Sequence, residues 1–482
     1  MRTVFRFIGG YNMTEFFKNK CLCIIFLLNL IILGYFFRYD GYAYMDTFEH
    51  LRMSWLVSLG NMPYRDFFEH HHPLLWYTFA PLMKILPHNA MLAFYVAKAV
   101  AAVCSLLTFY IFYLIFKRFL GGSNAFWYFL LCSSIFFPIL YSFSFFKPES
   151  FARLFYVLGL YCFFDYAEVR KTKSLIWCGI CFCVAFFFIQ TIVFSILPLI
   201  VPLFVLCRKN KRCYADAAIT ALICMVLLGA FAAWLYFNGA WTRYIETNWL
   251  LNNFVFTKFY RQQSYAIWFW LPYYLIALVC GIYTWRKQPS FCYNTFFLLF
   301  VCSFVQHLYY PPTQPHYLIE LSMLAAIIAT PLLMSFMKSE KKSFLYAFFL
   351  FSAVTNLVSF FADYSKEGLK KMALVNQDEN AQIFNVYFTA INVYAPQLSY
   401  YVMFNRLHSV DGTLFHSQPD YDVNDFINKH RPQYINIEPE GIYTQYPPRF
   451  SLNPKILQND YQQILPDLYQ RKDTLSADEQ NQ

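Results

Sequence analysis

Charge is scarce in this chain, at 14% of 482 residues, and only 15 positions are glycine. A soluble protein of this length needs far more charged surface, so one or two ordinary soluble cores are excluded. Cysteine is confined rather than absent: none of the fourteen lies in 38–90 or beyond Cys302. That distribution excludes a disulfide framework in those segments. Cys178, Cys181 and Cys183 sit in an apolar run, where small soft core residues are the simplest reading. There is no GxGxxG, no Walker loop and no internal repeat, which removes dinucleotide-binding and P-loop classes. Lys and Arg outnumber Asp and Glu by 38 to 28, yet no basic stripe alternates with aromatics. Nucleic acid is therefore not a partner.

What the chain has in abundance is apolar and aromatic residues, 58% and 22% of the total. They gather in stretches near the length that crosses a bilayer. These run at roughly 21–37, 91–116, 125–144, 150–165, 174–190, 192–207, 214–237, 267–285, 291–309, 317–336 and 344–361, giving about eleven spans. With the N-terminus inside, the cytoplasmic segments are 1–20, 117–124, 166–173, 208–213, 286–290 and 337–343. Together these hold eighteen Lys and Arg against Glu15, Glu168 and Glu340. Every inner segment obeys the positive-inside rule, so the chain reads as a multi-pass protein of a bacterial inner membrane. The first run exits into Tyr35, Phe36 and Phe37 rather than small residues, and is read as an uncleaved span.

The fold class expected is an all-α membrane domain over 1–362 with a small soluble α/β domain over 363–482. The tail turns rich in Asn, Gln, Asp and Pro, and carries β-like runs at 433–437 and 382–388. An even larger share of the chemistry sits in the outer loop 38–90. On a helix, Phe48, Leu51, Trp55 and Leu59 form one apolar stripe, with Asp46, Glu49 and His50 opposite. Such a helix is expected to lie on the membrane, apolar side down, its ionisable face towards an aqueous cavity. Residues 60–77 then bring Asp66, Glu69 and His70 to His72 to a membrane boundary. The histidine run reads either as a flexible polar turn or as part of a site.

The order Asp46-x-x-Glu49-His50-Leu51, Gly60, Pro63-Tyr64-Arg65-Asp66-Phe67-Phe68-Glu69-His70-His71 and Pro73-Leu74-Leu75 resembles a known loop. It is the first periplasmic loop of GT-C membrane glycosyltransferases, in the branch of protein O-mannosyltransferases and lipid A aminoarabinose transferases. The resemblance covers about thirty residues; His72 stands where that loop has the first of two prolines. It implies a sugar donor linked to polyprenyl phosphate and an acceptor glycan, lipid or protein. It also implies inverting transfer on the outer face, with membrane lipids around the site. Asp46 matches the acidic catalytic position, with Glu49 beside it in the catalytic pair. Glu49, Asp66 and the histidines shape the pocket or bind a divalent ion; His50, Tyr64, Arg65, Asp66, Glu69, His70 and His71 contact substrate.

Further substrate-binding candidates lie elsewhere. Lys147 and Glu149, in FFKPES, resemble a basic-Pro-acidic turn of these enzymes, or Lys147 merely snorkels. Segment 238–266, with Arg243, Lys258 and Arg261, is either an interfacial helix beside the lipid phosphate or a structural loop. His307 and His316 flank the prolines of YYPPTQPH and either contact phosphate or serve structure. A rival class is a transporter or flippase for lipid-linked sugars, which should carry ionisable residues mid-span and related halves. A catalytically silent glycolipid-binding partner is the third. Reporter fusions test the topology: a periplasm-active enzyme should work after positions near 80, 255 and 400 and fail after positions near 120, 210 and 340.

Overall fold

The computed structural model describes residues 20–39, 44–254, 266–287, 290–309, 315–337, 342–358, 365–385, 391–396, 423–437 and 452–475. The chain divides into two compact units. One comprises Met1–Asp40, Lys98–Phe231 and Phe254–Asp363; the other comprises Gly41–Ala97, Ala232–Asn253 and Tyr364–Gln482.

The first unit is helical because its sequence is a succession of apolar runs punctuated by Pro, Gly and charge. Ala90–Phe119, Gln190–Lys209, Arg212–Phe237, Phe291–Tyr309 and Ile319–Phe336 are long and apolar enough to cross a membrane. Cys23–Tyr39, Thr172–Phe188 and Ala347–Asn356 are shorter apolar helices. These helices mark a multi-pass membrane protein. The stretch 125–144 is broken into Ser123–Ser133 and Phe137–Tyr141, with Pro138 in the first turn of the second piece. On Arg212–Phe237, Leu222, Met225 and Val226 are about 60% exposed, a surface suited to lipid tails and not to water.

Several charges inside this unit are paired or capped. Lys98, fully buried, donates to Phe36 O at 2.7 Å, one of the last-turn carbonyls of Lys20–Tyr39. Asp216 accepts from Tyr166 at 2.9 Å and Thr172 at 2.7 Å. Arg118 bridges Asp165 and Glu168 at 2.6 and 2.8 Å. Glycine sets how closely the helices approach. A Cβ at Gly281 would lie 2.4 Å from Phe297 and 2.9 Å from Ile328, so Ala266–Lys287 is pressed against two neighbours at once.

In the second unit, helix α1 (Tyr44–Ser58) packs against α2 (Leu74–Ile85). Its apolar stripe is covered by protein, not by a membrane surface, which corrects the sequence-based expectation. Phe48 stacks on Phe94 at 5.1 Å, and Trp55 meets His88 at 4.8 Å and Tyr394 at 5.1 Å; only Leu59 is exposed. The tail supplies a four-stranded sheet of order β1-β2-β4-β3, from Ile383–Asn385, Tyr434–Asn436, Tyr461–Leu465 and Leu468–Arg471. The β-like runs at 382–388 and 433–437 each contain a strand, paired in parallel through Ile383 with Tyr434 and Asn385 with Asn436, while 386–388 lie outside the described residues. Ile435, Phe384 and Ile427 fill its core. Helices Ser365–Val375, Val423–His430 and Pro454–Asp460 complete a small α/β body.

Replacing Gly281 by Val should lower the thermal stability of the detergent-solubilised protein by about 1–3 kcal/mol, the usual cost of overpacking. Thermal unfolding against the unsubstituted protein measures it.

Candidate active site

The site grows from one carboxylate. Glu69 is fully buried. Its Oε1 accepts from the backbone N–H of His70 at 2.7 Å and of His71 at 3.1 Å, and lies 2.8 Å from His71 Nδ1 and 3.3 Å from His70 Nδ1. Oε2 is buried and has no hydrogen-bond partner among the described residues. An ionised carboxylate on His71 Nδ1 fixes the proton there and turns Nε2 into the basic position.

The histidine run is held by hydrogen bonds from several sides. Tyr64 Oη donates to His71 O at 2.6 Å, and Asn252 Nδ2 to His70 O at 2.9 Å. With its amide turned to donate, Asn248 Nδ2 reaches both carbonyls, at 3.1 and 3.2 Å. His72 Nε2 lies 2.9 Å from Tyr244 Oη in a buried pair. The supports come from Trp241–Tyr244, the π-helical turn Ile245–Leu251 and Asn252. Tyr244, Asn248 and Asn252 recur every four residues, a periodicity visible in the sequence that sequence reasoning passed over. Within 238–266, the described residues 238–254 thus brace the site, and 255–265 lie outside the described residues.

Tyr64 has φ +67, a left-handed conformation rare for an aromatic residue. It persists because the residue is held from several sides. Its N–H donates to Phe67 O at 3.0 Å, and its ring meets Tyr244 at 5.3 Å. Burial, with Tyr244 and Glu69 nearby, pushes its phenol well above the usual range, so it stays a neutral donor.

Helix α1 brings the other half. Glu49 is 2% exposed and His50 is fully buried, so this polar face meets protein and not the open aqueous cavity expected. Trp76 Nε1 donates to His50 Nδ1 at 3.3 Å, which places the proton of a neutral His50 on Nε2. His50 and His71 meet edge to face at 5.0 Å. Asp46, half-buried, lies in the first turn of the same helix, one turn before Glu49.

Ligand atoms of Glu49, Glu69, His70 and His71 all lie within 4.8 Å of one another. Two carboxylates and two imidazoles suit Zn²⁺ or a similar divalent ion, and the orphaned Glu69 Oε2 is the kind of buried acceptor such an ion would satisfy. Asp66 stands apart from this grouping. It pairs with Arg65 at 2.8 Å and accepts from Met62 N–H at 2.7 Å; Arg65 holds its carboxyl below the usual value. Arg65 also reaches Asn238 O at 3.4 Å.

Lys147 and Glu149 belong to the first unit, at the start of Pro148–Val169. Lys147 is buried, and Glu149 Oε2 has no hydrogen-bond partner among the described residues. Arg153, one turn on, is buried too; sequence reasoning had not singled it out. Arg243 is half-buried in Trp241–Tyr244. His307 has one ring nitrogen 2.7 Å from Ser303 O and the other 3.2 Å from Tyr317 O, contacts that fit a structural role. Lys258, Arg261 and the side chain of His316 lie outside the described residues.

Residues 70–237 match the family described as dolichyl-phosphate-mannose-protein mannosyltransferase. The resemblance to protein O-mannosyltransferases holds for this stretch. It takes in His70, His71, Lys147 and Glu149 and begins after Asp46 and Glu49. No curated protein matches the chain. Among solved structures, the chain is similar to the crystal structure of ArnT from Cupriavidus metallidurans bound to undecaprenyl phosphate, with a TM-score of 0.46 and 13% identity. That similarity covers 74% of this chain and 65% of ArnT, under two thirds of its length.

Metal binding tests the cluster. The purified protein should take up Zn²⁺, and Glu69→Gln should weaken its affinity by about 10–100-fold, since Glu69 both offers an oxygen and orients His71. Calorimetric titration of the two proteins reads this.

Proposed function

We propose that this protein is an inverting GT-C glycosyltransferase that moves a monosaccharide from a polyprenyl-phosphate donor to an acceptor hydroxyl. The acceptor classes are a lipid-linked glycan, lipid A, an envelope polysaccharide or a protein. The reaction is assigned to the outer face of the cytoplasmic membrane, with about eleven crossings and an inside N-terminus, as the basic inner segments support. The family description of residues 70–237 names a dolichyl-phosphate sugar donor, and the same class of lipid phosphate is proposed here.

The observation that carries this reading is the grouping of buried Glu49 and Glu69 with half-buried His70 and His71, and Asp46 one turn before Glu49 on its helix. Transfer needs a base for the acceptor proton and positive charge for the departing phosphate. Asp46 is assigned the base: its carboxylate takes the proton as the acceptor oxygen attacks the anomeric carbon. Glu49, Glu69, His70 and His71 would hold a divalent cation, which when bound would neutralise charge on the leaving phosphate. Burial strengthens each of these interactions, because little water competes. Lys147 and Glu149 are proposed as further substrate contacts, as are Arg243, Lys258, Arg261 and His316.

Asp46→Asn keeps size and removes the proton acceptor. Sugar transfer by the purified variant should fall by about 10²–10⁴, the usual contribution of a general base, while expression is preserved. Glu49→Gln should cost less if that residue serves the ion. Near-normal transfer by Asp46→Asn would falsify the assignment, and a deeper loss at Glu49 would move the base there.

A further inference from the structure

Helix α1 carries one more charged residue, and it faces the tail. Arg52 is 1% exposed, and no carboxylate lies within ion-pair distance of it among the described residues. Its terminal Nη1 donates instead to two backbone carbonyls, Val393 O at 3.0 Å and Ala395 O. A guanidinium taken out of water without a counter-ion costs several kcal/mol unless fixed dipoles replace the solvent. Burial draws its pKa down to about 10, so the group stays cationic at neutral pH.

The carbonyls it meets are prearranged. Ile391 to Ala395 are all buried, yet form no strand. Two asparagines supply the missing hydrogen bonds. Asn392 Nδ2 donates to Val375 O at 2.8 Å, Asp378 O at 2.7 Å and Ala381 O at 3.1 Å, while its Oδ1 accepts from the N–H groups of Tyr394 and Ala395. Asn376 Nδ2 donates to Ile391 O at 2.7 Å and its Oδ1 accepts from Val393 N–H at 2.8 Å. With the N–H groups turned to the asparagines, the carbonyls of Val393 and Ala395 serve the arginine. Around this contact, Tyr394 packs on Trp55 and stacks on His88 at 4.8 Å, and His88 pairs with Glu379 at 2.5 Å.

We infer that Arg52 is a positioning residue: it clamps tail segment 391–395 onto helix α1 and thereby holds Asp46, Glu49 and His50 in register with Glu69, His70 and His71. The tail is then part of the active-site scaffold. The catalytic half of the inference rests on the function proposed above; the clamp itself does not. Asp46 and Glu49 precede Arg52 by two turns and one turn, so a tilt of the helix displaces both. A displacement near 1 Å is enough to cost about 10²-fold in rate.

The test uses the full-length protein in detergent, with Arg52→Met, which keeps volume and removes the donors. Hydrogen exchange should quicken at the amides of Val393, Tyr394 and Ala395 and along α1. Turnover should drop about 10²-fold with donor KM little changed. Arg52→Lys, which keeps the charge on a shorter stem, should recover part of both. If Arg52→Met does not reach the membrane, Arg52→Lys carries the same measurements with a smaller effect. Unchanged exchange overturns the clamp, and faster exchange with unchanged turnover overturns the positioning role. If the unsubstituted protein transfers no sugar, the proposed function falls, and exchange along α1 alone decides the clamp.

Discussion

The second unit depends on a single carboxylate oxygen. Glu69 Oε1 gathers two backbone N–H groups and stands within reach of two imidazoles. That concentration of donors satisfies one oxygen of a fully buried carboxylate and fixes the backbone of the two residues after it. The same grip leaves the other oxygen unsatisfied among the described residues, and an unsatisfied buried acceptor is costly unless a ligand completes it.

Everything packed behind the run serves to keep that arrangement. Asn248, Asn252 and Tyr64 take its carbonyls, and Tyr244 takes the His72 ring. Partly satisfied polar networks are unstable and fully satisfied ones are rigid. The strained backbone at Tyr64 fits this picture, since strain survives only where the surroundings over-determine it. Arg52 extends the same logic to the tail, with a buried cation matched to carbonyls that two asparagines have already oriented.

Burial also separates the roles of residues that look alike in the sequence. Asp66 and Glu69 are three positions apart, yet Asp66 closes a local turn with Arg65 while Glu69 nucleates the site. Trp55 belongs to an amphipathic stripe that could meet lipid, and meets the tail instead. In each case the deciding factor is which partner the chain brings up from far away.

The sequence by itself determined the helical membrane unit, because apolar runs of bilayer length leave the backbone no other way to satisfy its hydrogen bonds. It also determined the β-like runs near 383 and 434, though not their pairing, and the richness of the loop at 45–77, since periodicity and clustered ionisable residues are local signals. Tertiary structure alone decided that Glu49 joins Glu69, His70 and His71, that Tyr244, Asn248 and Asn252 brace the histidines, and that Arg52 grips carbonyls more than three hundred positions away. Those choices depend on contacts between distant segments and on the desolvation they impose, and neither quantity is written in the local order of residues.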